Sequence, residues 1–296
     1  MAGSGASAGL GLISAVSWGG SDFVGGLGAR RAPALLVVVS GQILSLAALA
    51  AVCFALRIPA PDRYSSLCAV VGGVVGALSL AAFYRALAMG AMGLTAALTG
   101  LLTAGVPVVF SLLRDGLPAP VNLAGLAAGC VAIWLITHRP QAQSTTVTQA
   151  GTATQAPTKS VAQRTALLLG AFSGCGFGAQ LILLKLASGG GVLWAMTWTR
   201  ASGVAALLLV LLAMRPSAPR NGFLWISLFA GTLDTAGNLF YIMAARAGRL
   251  DVAALVASLY PAVTILLAAM ALHEHPTRRQ VAGMAVALAA VLLLSV

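Results

Sequence analysis

Long apolar runs, broken by short stretches of charge, Pro or Gly, divide the chain into ten segments. The first five lie near residues 8–28, 34–56, 65–88, 93–113 and 121–137, and the second five near 165–187, 192–214, 223–245, 251–271 and 279–296. Each approaches the ~20 residues with which an α-helix crosses about 30 Å of hydrocarbon. A membrane barrel strand needs only about 9 to 11 residues and alternates apolar with polar positions, which these runs do not. The pattern predicts an all-α chain, a polytopic membrane protein of ten transmembrane helices.

Between His138 and Arg164 the pattern gives way to a tract of Gln, Thr, Ser and Ala with little to bury. Without apolar contacts to offset the entropy of ordering, such a tract reads as a flexible polar linker, residues 139–164. It leaves two units, 1–138 and 165–296. Across the cut, AAFYRALAMGAMGLTAALTGLL from Ala81 aligns with NLFYIMAARAGRLDVAALVASL from Asn238, setting Phe83-Tyr84 on Phe240-Tyr241 and Ala96-Ala97-Leu98 on Ala253-Ala254-Leu255. Gly125 and Gly283 open the last span of each unit. A repeat with an odd number of spans re-enters the membrane in the opposite sense, so the units are expected to be inverted five-helix repeats.

Composition narrows the function classes. Residues of the set AVILMFWYC make up 59% of the 296 positions and charged residues only 8%, against roughly 25% charged in soluble domains. The net charge of +11 comes from Lys and Arg scattered in ones and twos between the apolar runs, as at Arg30-Arg31 and Arg278-Arg279. This arrangement anchors helix ends at lipid headgroups and forms no groove-sized patch, so no nucleic-acid partner is expected. Cys53, Cys68, Cys130 and Cys175 are far apart within apolar runs and read as packing residues. No Lys or Arg precedes Arg30, so the first span is expected to remain in the mature protein.

The chain resembles the EamA-type transporters of the drug/metabolite transporter superfamily, which have two five-helix repeats. The resemblance rests on Ser17-Trp18-Gly19-Gly20 in the first span, Thr199-Arg200-Ala201 in the seventh, and Ala253 to Pro261 followed by His273-Glu274 and Gly283. The first unit departs from that ending, with Pro107 displaced relative to Pro261 and Asp115-Gly116 only approximating Glu274. The resemblance implies alternating access without ATP, carrying small organic solutes outward across a bacterial inner (plasma) membrane. It also places the N-terminus in the cytoplasm, whereas the positive-inside rule favours the reverse, with more Lys and Arg in the loops on the other side.

Ionisable groups within hydrocarbon cost roughly 2.5 to 3.5 kcal/mol on insertion scales and so tend to face a cavity or a partner. Asp22 falls near the middle of its span, with Ser14 and Trp18 on the same helix face; its alternative is a helix end that meets water. Asp234 shares a face with Asn238 and Tyr241. Arg200, with Trp198 two residues before it, cannot shed its charge and needs a carboxylate, carbonyls or an anionic ligand. Tyr84, Gln42 and Gln180 are weaker candidates for cavity or interhelical bonding. Thr95, Thr99 and Thr103 form a stripe that lines a pathway or bonds back to its own helix. Pro107 and Pro261 read as kinks, and the four-residue glycine spacings as close helix packing. The substrate-binding or coupling set is therefore Trp18, Asp22, Tyr84, Gln180, Trp198, Arg200, Asp234, Asn238 and Tyr241.

His273-Glu274-His275 reads as an interfacial loop, because adjacent residues cannot all turn to one ion. No Walker sequence, GxSxG elbow or HExxH is present, so neither an enzyme nor a cofactor is expected. The partners expected are a small organic solute, cationic or zwitterionic, coupled protons and the lipid bilayer. An intramembrane enzyme acting on a lipid-linked substrate and a passive channel are the alternatives. Ten spans put both termini on one side, so reporters fused at Met1 and Val296 should respond from the same side of the membrane; opposite responses refute the ten-span reading.

Overall fold

The computed structural model describes residues 2–29, 31–88, 92–137, 156–214, 222–273 and 276–295, and every regular element among them is helical. The helices are α1 (Ala2–Ala29), α2 (Ala34–Ala55), α3 (Arg63–Ala88), α4 (Met92–Asp115), α5 (Pro120–Thr137), α6 (Ala156–Ala187), α7 (Val192–Met214), α8 (Phe223–Ala247), α9 (Leu250–Ala257), α10 (Tyr260–Leu272) and α11 (Arg278–Ser295). Among the described residues, eight segments are long and apolar enough to cross a membrane: α2 to α7, the joined α9–α10 segment and α11. The chain is thus an all-helical, polytopic membrane protein. Helices α1 and α8, of 28 and 25 residues, are equally long but carry Asp22, Asp234 and Asn238.

Two expectations about boundaries change. The ninth apolar run is two helices, because Pro261 has no N–H to give the carbonyl of Ala257. The turn between them instead bonds Ser258 N–H to Ala254 O and Leu259 N–H to Val256 O. Pro107, in contrast, lies inside the unbroken α4. Helix α6 begins at Ala156, well before the expected 165, so the end of the polar tract is helical. Residues 138–155 lie outside the described residues, as do Arg30, Arg215, Arg220, Glu274, His275 and the side chains of Thr95 and Lys159.

Short-range polar bonds set several helix starts. Thr277 and Gln280 exchange reciprocal bonds at the head of α11, Thr277 N–H to Gln280 Oε1 at 2.9 Å and Gln280 N–H to Thr277 Oγ1 at 3.3 Å. This is a capping box that satisfies two otherwise unpaired donors. Asp62 accepts from Ser65 N–H at 3.0 Å before α3, and bonds from Ser65 hold its carboxyl below the usual carboxylate range.

Packing runs across the two halves of the chain. Helix α1 packs on α8 and α3 on α6; α2 packs on α8 and α3 on α7; α4 packs on α6, and α1 on α9 and α10; α5 lies along α11. Small residues permit the closest crossings. A Cβ on Gly41 would lie 2.5 Å from Ser227 O and 3.0 Å from Gly231 Cα, so α2 and α8 meet backbone to backbone. Gly73 meets the Thr199 carbonyl where α3 crosses α7, the Trp18 indole covers Gly237, and Ser79 covers Gly176. One constant shift of numbering takes Gly41 to Thr199, Gly73 to Gly231, Trp18 to Gly176 and Ser79 to Gly237. That shift pairs Phe83 with Tyr241, one place beyond the alignment of identical letters, because packing follows the small residues.

The two ends of the bundle differ. At one end, Leu250–Ala257 is fully buried. Arg249 bonds Asp251 and Gly116 O there, Lys185 bonds Ala245 O, and Arg246 bonds Ser188 O. Both ends of the described chain lie here too, a Cβ on Gly5 falling 3.5 Å from Ser295 O. At the other end, a Cβ on Gly28 would lie 3.0 Å from Val37 and 3.1 Å from Ile226. If the Gly41–Gly231 crossing holds this arrangement, Gly231→Leu should lower stability by about 1 to 3 kcal/mol through overpacking. Gly105→Ala, where a Cβ meets nothing within 4 Å, should melt within about 1 kcal/mol of the parent in detergent. Equal melting of the Gly231 variant and the parent would contradict the assignment.

Candidate functional site

A cavity of about 480 Å³ lies between the two halves. Gly25, Gly26 and Ala34 line it, and the α9–α10 turn contributes Ser258 and Tyr260. Trp18, Phe83 and Phe177 supply apolar wall. The charged lining residues among those described are Asp22, Arg200 and Asp234.

Arg200 is deeply buried, its side chain 8% exposed, and its Nη2 donates to Asp234 Oδ2 in an ion pair. Asn238, one turn along α8, donates to the Asp234 backbone O at 2.7 Å and to Asp234 Oδ1 at 3.3 Å. Asp234 is thus fully engaged, while Arg200 Nε remains buried without a partner. Asp22 is exposed to the cavity and has no hydrogen-bond or ion-pair partner among the described residues. Asp234, Tyr84 and Tyr260 line the same cavity.

Of the nine residues expected at a site, Trp18, Asp22, Tyr84, Gln180, Arg200, Asp234 and Asn238 line this cavity. Trp198 does not. It is two residues from Arg200, about 200° around a helix, which turns it to the outer face of α7, where it is 40% exposed and stacked on Trp194 with ring centroids 6.3 Å apart. Tyr241 is fully buried behind the wall, donating to Leu181 O at 2.9 Å and stacked on Trp18 at 5.9 Å. It supports the Trp18 ring rather than reaching the cavity.

The threonine stripe divides as well. Thr99 bonds Gly170 O on α6, and Thr103 bonds back to Thr99 O while lining the cavity. Gln42 lines the cavity, and neither its amide nor that of Gln180 has a hydrogen-bond partner among the described residues. Sequence reasoning missed Ser258 and Tyr260 as lining residues. Pro261 was the available signal, since a helix interrupted in mid-membrane turns its neighbouring side chains and free backbone groups inward. Ser258 Oγ is buried and unpartnered.

A model of the EamA-like transporter family matches residues 164–296. Among curated proteins none matches. A solved structure titled "Crystal structure of protein" superposes with a TM-score of 0.73 at 17% identity, covering 97% of this chain and 95% of that one. At that identity the likeness speaks for the fold alone. The family match falls on the part of the chain that carries Gln180, Arg200, Asp234 and Asn238, and in that part the chain is similar to the EamA-like transporters.

Proposed function

We propose that the chain is a secondary transporter, an exporter of small organic solutes across a bacterial inner membrane. It works by alternating access at this cavity, between two inverted five-helix units of residues 1–138 and 165–296. The constant shift of numbering that carries α1–α8 contacts into α6–α3 contacts supports the repeat, since a two-fold relation exchanges just those pairs. A cavity lined by helices of both halves supports alternating access. Helices α1 and α8 complete ten spans.

The observation that carries the reading is the division of labour among three charges. Two carboxylates and one guanidinium line the cavity, and Arg200 takes Asp234. Asp22 is left as an unpaired acid in a site mostly walled from water, where a bare charge is costly and a proton or a cationic group is welcome. Asp22 therefore binds either a coupling proton or the ammonium of a cationic or zwitterionic solute, releasing it when the halves rock. Asp234 and Asn238 hold Arg200 in place, and Trp18, Tyr84 and Gln180 shape the site.

In proteoliposomes, Asp22→Asn should abolish uphill transport while inserting and melting like the parent. Asp234→Asn should also abolish it, and should melt lower, because it leaves a buried guanidinium unpaired at a cost of about 3 kcal/mol. Solute exchange without a pH gradient separates the two roles: it survives in Asp22→Asn if the residue carries a proton and disappears if it holds the solute. Normal transport by both variants, with and without a gradient, sinks the mechanism. Flux in liposomes containing this protein alone also excludes an intramembrane enzyme.

A further inference from the structure

The charged groups of the cavity have neutral counterparts within it. The same shift of numbering that relates the helix crossings takes Asp22 to Gln180, Gln42 to Arg200 and Gly76 to Asp234, and all six residues line the cavity. Asp22 lies near Asp234, and Gln180 correspondingly lies directly over Gly76, where a Cβ would collide with its amide. One half of the site therefore presents an unpaired carboxylate, and the related half presents two amides, Gln42 and Gln180, with their hydrogen-bonding capacity unspent.

From this asymmetry we propose that the solute is an organic monocation bearing a neutral hydrogen-bonding group such as an amide, and that Gln42 and Gln180 form the subsite for that group. The inference rests on reading the cavity as the solute site. Charge balance selects the class. Once a bound cation displaces any proton from Asp22, the lining carries −1, because Arg200 cancels only Asp234. A monocation brings the cavity to zero, whereas a zwitterion leaves it at −1 and adds a carboxylate near two others, with the one cation already taken. Trp18, Tyr84 and Tyr260 also line the cavity, and aromatic rings add faces for a cation. At about 480 Å³, the cavity falls in the usual range of roughly 300 to 1,000 Å³ for organic ligands.

Three solutes of one shape test this: phenylalanine, its primary amide, and phenethylamine, which lacks the carbonyl group. Binding by tryptophan fluorescence and counterflow are measured near pH 6, below the ordinary α-amino pKa of roughly 7.7 to 8.0, so that the amide is a monocation. The amide should bind at least about tenfold more tightly than the zwitterion. It should bind about 3- to 10-fold more tightly than the plain amine, the worth of one added neutral hydrogen bond. Gln42→Met and Gln180→Met should each erode the advantage of the amide over the amine. The proposal is overturned if none of the three binds, if the zwitterion matches the amide, or if the advantage survives both methionine variants. Should those variants fail to insert, Gln180→Glu raises the lining charge to −2 and should favour a diamine over a monoamine, and no such gain counts equally against it. Asp22→Asn keeps the layers apart: loss of both cations upholds the cavity as the solute site whatever the amide preference, and unchanged binding of both overturns the monocation proposal while leaving Asp22 the proton-carrying role.

Discussion

A guanidinium cannot discharge itself, and in a chain with six acidic residues the burial of Arg200 constrains everything around it. Its counter-charge must come from a neighbouring helix, and Asp234 of α8 supplies it while Asn238 steadies the carboxylate from one turn away. Such a pair adds little net stability, because desolvation offsets most of the attraction. Its consequence is positional: it ties α7 to α8 beside the cavity and leaves Asp22 on α1 without a partner. The chemistry of the site follows from which acid Arg200 takes.

That geometry needs helices close enough for side chains to meet across the two halves. Lipid is as apolar as the helix surfaces, so no hydrophobic force presses helices together and contact depends on packing. Gly41 against Gly231 and Gly73 against Thr199 let α2 and α3 touch α8 and α7 through their backbones. Gly73, Gly76, Gly203 and Gly231 also line the cavity, where they take up no side-chain volume. The interruption at Ser258–Leu259 works the other way, breaking a helix so that Ser258 and Tyr260 reach the site.

One end of the bundle is tied by charged side chains on helix-end carbonyls, Lys185 on Ala245 and Arg249 on Gly116, together with the pair that Arg249 makes with the buried Asp251. By the shift of numbering that relates the helix crossings, the positions of Arg249 and Asp251 correspond to Ala91 and Gly93, residue types that carry no charge.

Much of this was legible in the order of residues. The apolar runs set the all-helical membrane class, because backbone groups in hydrocarbon must bond within their own helix and length alone then identifies a span. Rare charges in such runs marked Asp22, Arg200 and Asp234, since each is too costly to leave facing lipid. Helical periodicity went no further than one helix: it set Tyr241 on a face with Asp234 and could not say that Trp18 would cover it, nor that the ring of Trp198 faces outward. Alignment by identical letters put Phe83 on Phe240, one place from the correspondence that the glycine crossings select. Which acid pairs with Arg200, which amides stay free and where the ninth span breaks were decided only by tertiary structure. Each depends on the distance between residues remote in the chain, or on whether a lost backbone bond finds a substitute, and the residue order contains neither.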